Sequence, residues 1–270
     1  MCYSAVLRFK VKRMDKKRMT YNYHTHTYRC GHAIGTEEEY IERAIQCGVT
    51  HMGFSDHIPY DWKAEPHVNN SWNKQAHEYI QHISHLREKY QDKIEIVIGY
   101  EIEYYADYFA DMLKWAVTAG VEYLILGQHF LHYGGKHTIH ATESIEELKS
   151  YVLLVLDAIR SGYFTYVAHP DVFNFVGDVG LYRNEMRKIC IASREMEVPL
   201  EVNFLGLREK RNYPNENFWE LAGEEESPVI FGFDAHEPIH AYDGETLAKA
   251  QNLVEKYKLN YIGKPRIVFL

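Results

Sequence analysis

His24-Thr25-His26 sets two imidazoles two residues apart. On a strand, residues i and i+2 face the same way, so both rings could reach one metal ion. His32 follows closely, in the short stretch Arg29-Cys30-Gly31-His32. Further along come Ser55-Asp56-His57, Gly99-Tyr100-Glu101, Gly127-Gln128-His129, His169-Pro170-Asp171 and Asp234-Ala235-His236. Any one of these histidines alone would read as a solvated loop residue. Nine ligand-competent residues (His24, His26, His32, His57, Glu101, His129, His169, Asp234 and His236) gathered at the ends of six apolar runs are a different matter. Imidazole mixed with carboxylate suits Zn, Mn or Fe(II), and nine donors exceed what a single ion can use. The pattern predicts a multinuclear site of two or three divalent metals.

The elements that must position these residues alternate along the chain. Short β-like runs are predicted at 21–26, 50–55, 94–101, 123–128, 165–168, 199–203 and 229–233, with a last run at 266–270 that could close the set. Amphipathic segments lie between them, near 36–47, 73–90, 107–119, 143–161, 181–197, 215–222 and 243–257. Thr36-Glu37-Glu38-Glu39 is a capping box for the first of these helices. Strand and helix alternating about seven times predicts parallel strands joined by helical crossovers. A barrel and an open doubly wound sheet both satisfy that pattern. Ligand candidates on many different strands favour the barrel, whose C-terminal face gathers residues from all sides; an open sheet would concentrate them at one switch point.

Composition narrows the function classes. Of 270 residues, 46% are apolar and 25% charged, which excludes a disordered or fibrous chain, and no apolar run is long enough for a membrane span. The first 20 residues carry seven Lys/Arg against Asp15, while the remainder holds 23 basic and 37 acidic residues. So acidic a body makes a poor nucleic-acid partner. The basic leader, residues 1–19, lacks a secretory core; it reads as a disordered arm or as sequence ahead of the native start, given Met14 and Met19. Cys2, Cys30, Cys47 and Cys190 show no CxxC pair or disulfide spacing, so the expected compartment is the reducing cytoplasm.

Taken together, His24-Thr25-His26-Thr27, Ser55-Asp56-His57, Gly99-Tyr100-Glu101, Gly127-Gln128-His129, His169-Pro170-Asp171 and Asp234-Ala235-His236 resemble, in identity and order, the motifs of the PHP (polymerase and histidinol phosphatase) family. Within it, the chain is most similar to the free-standing histidinol-phosphate phosphatases. The resemblance runs from about Tyr21 to the C-terminus, so residues 20–270 are expected to form a single PHP domain. It implies an α/β fold, a distorted (β/α)7 TIM-like barrel with three divalent metals (Zn, Mn or Fe) at the C-terminal face of the strands. By the same resemblance, His24, His26, Glu101 and Asp234 surround one metal. Glu101 bridges to a second held with His129 and His169, and His32, His57 and His236 hold the third. The implied activity is hydrolysis of the small phosphate ester L-histidinol phosphate to L-histidinol and phosphate, in histidine biosynthesis, by attack of a metal-bridging hydroxide. The same chemistry on a nucleotide, sugar phosphate or phosphotyrosine is the alternative. A non-catalytic PHP module is disfavoured because every expected ligand is present.

Asp56 has two possible roles, orienting a ligand histidine or giving a proton to the leaving alcohol. Arg208 and Arg211, after the sixth run, are candidate phosphate ligands, since a guanidinium fork matches two phosphate oxygens. Arg208 is the stronger of the two on loop position. Loops at 58–70, 130–141 and 172–180 are expected to roof the site. His132, His137 and His140 read as ordinary loop histidines, and Glu103 and Asp107 as partners for a substrate amine. Ser55 reads as a small residue beneath the site.

Overall fold

The protein was analysed as a computed structural model that describes residues 18–58, 71–132 and 135–270. The expected basic leader, up to residue 17, and almost all of the expected roof at 58–70 lie outside the described residues. The strands are β1 (Tyr21–Asn22), β2 (His51–His57), β3 (Glu95–Ile102), β4 (Tyr123–Leu126), β5 (Phe164–Val167), β6 (Leu200–Asn203), β7 (Pro228–Gly232) and β8 (Asn260–Tyr261). Each lies beside its sequence neighbour, and every pairing is parallel. The helices are α1 (Glu37–Gln46), α2 (Ser71–Tyr90), α3 (Ala106–Ala119), α4 (Ile145–Ser161), α5 (Val179–Met196), α6 (Phe204–Glu209), α7 (Glu216–Glu224) and α8 (Gly244–Tyr257).

Local chemistry explains these boundaries. Thr36 and Glu39 complete the expected capping box, each side chain accepting from the other's backbone N–H. Ser144, Asp178 and Asp243 cap α4, α5 and α8, each side chain accepting from one N–H that the helix start leaves open. Along α4, Leu148, Tyr151, Val152, Val155, Leu156 and Ile159 recur at three- and four-residue spacing and are all buried. Strands such as Tyr123–Leu126 are buried along their whole length, as expected for a parallel sheet covered by helices.

The sheet curls until its ends meet. Beyond β1, Thr25 bridges Ala235 in parallel: His26 N donates to Ala235 O (3.0 Å), and Ala235 N to His24 O (3.2 Å). The first and seventh strands therefore pair directly at the end that carries the ligand candidates. At the opposite end β8 pairs with β7, and the Tyr21 and Tyr261 hydroxyls lie 3.2 Å apart. The structure is the expected TIM-like barrel, with two corrections. The closing strand is Asn260–Tyr261; 266–270 contributes only an isolated antiparallel bridge between Phe269 and Tyr123. The stretch after the sixth strand, read as a loop, begins with the short helix α6, whose cap is Asn203 accepting from Gly206 N (3.0 Å).

Tyr123 and Tyr166 fill the barrel interior, and both donate to Tyr23 O (2.9 and 3.0 Å). Nearer the mouth the filling becomes charged, and glycine makes the room. A methyl at Gly127 would overlap the Glu101 carboxyl, and one at Gly232 the Glu201 carboxyl. Gly232→Ala is expected to destabilise the fold by about 1–3 kcal/mol, the cost of overpacking a filled core, and to weaken metal retention by displacing Glu201. Denaturant melts with and without chelator, together with metal analysis, check this; an unchanged midpoint in both states would contradict it.

Candidate metal centre

All nine expected ligands converge in one cluster; seven line a cavity, and His24 and His26 lie buried beneath it. Glu101, at the end of β3 and 1% exposed, is its centre. Its Oε1 lies 2.7 Å from His169 Nε2 and 3.5 Å from His129 Nε2. Its Oε2 lies 3.4 Å from both His24 Nε2 and His26 Nε2, and 3.2 Å from His57 Nδ1. The two oxygens thus face different imidazole groups, as a bridging carboxylate must. Asp234 Oδ1 stands 3.5 Å from His24 Nε2, 3.2 Å from His26 Nε2 and 3.3 Å from His236 Nδ1. His32 completes the ring, its Nε2 3.0 Å from His236 Nε2.

Backbone geometry aims these groups. β2 and β3 pair in register from His51↔Glu95 to His57↔Glu101, so His57 and Glu101 emerge side by side. His169 and Asp234 have φ of 31° and 47°, left-handed values costly for non-glycine residues, where their strands turn off the barrel rim.

A further layer of polar groups fixes the imidazoles from behind. Glu201 Oε1 is 2.7 Å from His24 Nδ1, and its Oε2 accepts from His169 N (3.1 Å) and Asn203 Nδ2 (2.9 Å). Asn203 also donates to Asp234 Oδ2 (2.9 Å). Glu103 Oε1 is 3.0 Å from His129 Nδ1. Backbone carbonyls do the same for His32 Nδ1 (Cys30 O, 3.1 Å) and His236 Nδ1 (Asp234 O, 3.2 Å). Such partners select the tautomer that turns the other ring nitrogen to a metal. Glu103, read in the sequence as a partner for substrate, instead serves a ligand histidine. Asp107 is exposed in the first turn of α3, away from the site. Asp56 Oδ1 accepts from His57 N (2.9 Å) and stands 3.5 Å from His26 Nδ1, while Thr27 Oγ1 donates to Oδ2.

The electrostatics demand cations. Burial opposes ionisation of Glu101, yet His129, His24 and His57 hold its carboxyl well below the usual range. Asp234, equally buried, is held low by His24, His26 and His236. In return, burial disfavours charge on His26, but Asp234 and Asp56 carry it up to about 9. Protons on His24 and His26 balance the two carboxylates when no metal does. His24 Nε2, both ring nitrogens of His26 and Asp234 Oδ1 are buried and aligned with no hydrogen-bond partner. Buried polar atoms are rarely left so, and a divalent cation among His24 Nε2, His26 Nε2 and Asp234 Oδ1 satisfies those three at once, while His26 Nδ1 faces Asp56. Sets of three donors within 4.8 Å of one another include His24/His26/Glu101, His24/His169/Asp234 and His26/His57/His236. The donor chemistry, imidazole with carboxylate, is that of a multinuclear divalent-metal centre.

The cavity above it has a volume of about 640 Å³. Arg211 lines it, with Glu209 accepting from its Nε (2.8 Å) and Tyr213 Oη from its Nη1 (3.1 Å). Arg208, the stronger candidate from sequence, is not on the wall. It sits on α6, Nη1 3.5 Å from Asp243 Oδ2, with Nη2 buried and unpartnered. His137, read as an ordinary loop histidine, lines the cavity 5.3 Å from the His129 ring. Ser55 lies buried below, accepting from Thr25 N (3.3 Å). Sequence reasoning missed Glu201 and Asn203 as supports; the available signal was two polar residues on an otherwise apolar strand.

The PHP domain profile matches residues 22–203. The chain belongs to the PHP domain family. It is 27% identical over 236 residues to a probable histidinol-phosphatase of Deinococcus radiodurans, covering 80% of this chain and 85% of that protein. It is 26% identical over 251 residues to the histidinol-phosphatase of Bacillus subtilis, covering 79% and 92%. Among solved structures, the Lactococcus lactis histidinol phosphate phosphatase, in complex with Zn, L-histidinol and phosphate, superposes with a TM-score of 0.68 at 20% identity, covering 91% of this chain and 96% of that one. At that identity the likeness establishes a common fold.

Because Glu101 faces both imidazole groups, Glu101→Gln is expected to lose bound metal and activity while the barrel stays folded. Metal analysis after gel filtration, with circular dichroism as the folding control, checks this. Normal metal content with full activity would sink the bridging arrangement.

Proposed function

We propose that this PHP protein is a divalent-metal-dependent phosphomonoesterase that hydrolyses L-histidinol phosphate to L-histidinol and phosphate. The observation that carries the reading is Glu101, buried with one oxygen toward His129 and His169 and the other toward His24, His26 and His57. The curated relatives named histidinol-phosphatase, matched over most of their length, support the substrate. A cavity of about 640 Å³ fits one small ester, and Glu237 on its wall suits a substrate carrying an ammonium group. The three unpaired cysteines among the described residues, Cys30, Cys47 and Cys190, suit a reducing, cytoplasmic setting. Among those residues no helix is long and apolar enough to cross a membrane.

In this reading His24, His26, Glu101 and Asp234 hold one ion, Glu101, His129 and His169 a second, and His32, His57 and His236 a third. When bound, such ions make a water nucleophilic near neutral pH and neutralise charge on the phosphoryl oxygens. The chain's own residues do the rest. Glu101 and Asp234, as carboxylates, place negative charge where cations belong. Glu201, Glu103 and Asp56 orient His24, His129 and His26; the donors on both oxygens of Asp56 suit that orienting role better than proton donation. Arg211, steadied by Glu209 and Tyr213, offers its guanidinium fork to the phosphate, whereas Arg208 stands off the cavity wall beside Asp243.

Phosphate release from L-histidinol phosphate, beside a panel of other monoesters, tests the assignment after chelation and return of Mn or Zn. Metal-dependent turnover with strong preference for L-histidinol phosphate is expected. Broad turnover without that preference would keep the phosphatase and discard the substrate. Arg211→Ala is expected to raise KM about tenfold, equivalent to about 1.4 kcal/mol, with a smaller change in kcat. An unchanged KM would remove Arg211 from the phosphate site.

A further inference from the structure

Cys30 closes a 3-10 turn, Tyr28–Cys30, that Thr27 caps just beyond the His24–His26 pair. The turn leaves the thiol half-buried on the cavity wall, beside the metal-ligand imidazoles. Its Sγ lies within 4.8 Å of ring nitrogens of both His32 and His236, and those nitrogens within 4.8 Å of each other. It belongs equally to a set with His26 and Asp56.

Two independent features mark this spot as a cation position. His32 Nδ1 faces Cys30 O and His236 Nδ1 faces Asp234 O, so each ring spends its N–H on a carbonyl. Each Nε2 is then left with a bare lone pair, and the two are 3.0 Å apart. Two lone pairs at that distance repel unless a proton or a metal ion is shared between them. Behind them His26 is fully buried, and neither of its nitrogens is aligned with a hydrogen-bond partner.

We propose that Cys30 is a thiolate ligand of the metal at the His32–His236 position, a sulfur donor in a centre otherwise built from nitrogen and oxygen. The proposal rests on the multinuclear metal centre described above and adds a ligand to it. On coordination the thiol gives up its proton to solvent and the sulfur donates to the ion. Soft sulfur biases this one position toward zinc over manganese, whereas the Glu101 positions tolerate either. Without the ion, burial pushes the Cys30 thiol up to about 11, and its Sγ accepts only from Ala33 N (3.3 Å).

Chelated full-length protein reloaded with Co(II) reads this directly. Sulfur ligation gives a near-ultraviolet sulfur-to-cobalt charge-transfer band, expected in the parent, absent in Cys30→Ser and kept in Cys47→Ser. A measurement on the unaltered protein guards against a variant that misfolds: iodoacetamide labelling of Cys30, mapped by mass spectrometry, is expected to slow severalfold on loading. Three cobalt ions per chain without the band, a band that survives Cys30→Ser, or labelling indifferent to metal would each overturn the proposal while leaving the centre intact. If His32→Ala leaves the cobalt stoichiometry unchanged, the His32–His236 position itself fails, and Cys30 as its ligand with it. Neither readout uses turnover, so a failed substrate assignment would be seen separately.

Discussion

Two carboxylates buried among imidazoles govern this protein. Glu101 and Asp234 lie almost without solvent, and each is kept ionised by the rings around it. A buried anion is tolerated only where positive charge is fixed close by. Burial disfavours charge on His24 and His26, but the carboxylates around them, Glu201 first at His24 and Asp234 with Asp56 at His26, strengthen their hold on a proton. Metal and proton therefore compete for the same nitrogens, and the cluster is built around charge that the apolar barrel below cannot supply. The transition from core to site is sharp: Tyr123 and Tyr166 fill the interior, and the carboxyls begin directly above them.

The barrel's closure matters for the same reason. A seven-strand arrangement must bring β1 back to β7 where the ligands are, and the hydrogen bonds between His24, His26 and Ala235 do so. These are backbone bonds of the ligand residues themselves, so the seam of the barrel and the metal site are one piece of structure. At the other end the seam is filled by β8 and the Tyr21–Tyr261 contact. Loosening the seam there would reach the metals only through the length of β1 and β7.

Much of the centre was legible in the sequence because ligand identity is a matter of residue type. His24 with His26, and the polar ends of successive apolar runs, need no side-chain conformation to be recognised. What could not be read depends on direction. Arg208 and Arg211 are three residues apart, and whether either faces the cavity turns on α6, a six-residue helix that Asn203 starts. Read as a loop, that stretch offers no way to choose. Glu103 illustrates a second obstacle: its chemistry suits a substrate amine as well as an imidazole, and only the packing of β3 against β4 puts His129 beside it. The 266–270 run shows a third. Its composition is that of a strand, but it forms only a single bridge, antiparallel to Tyr123.

The supporting carboxylates carry a consequence for how the site tolerates change. Glu201 touches His24, the His169 backbone and, through Asn203, Asp234, so three ligands drawn from β1, β5 and β7 are tied to one residue of β6. Gly232 is small because Glu201 occupies the space beside it. The ligands are therefore not nine independent choices. They are positioned in groups, by Glu201 on one side and by Asp56 with Thr27 on the other, with Glu101 spanning the gap. A change at one support reaches several of these residues together, whereas His32 lies on an exposed turn, held by Cys30 O and the His236 ring and by none of these supports. Glu101, His24, His169 and Asp234 thus stand among shared buried supports, whereas His32 stands on an exposed turn without them.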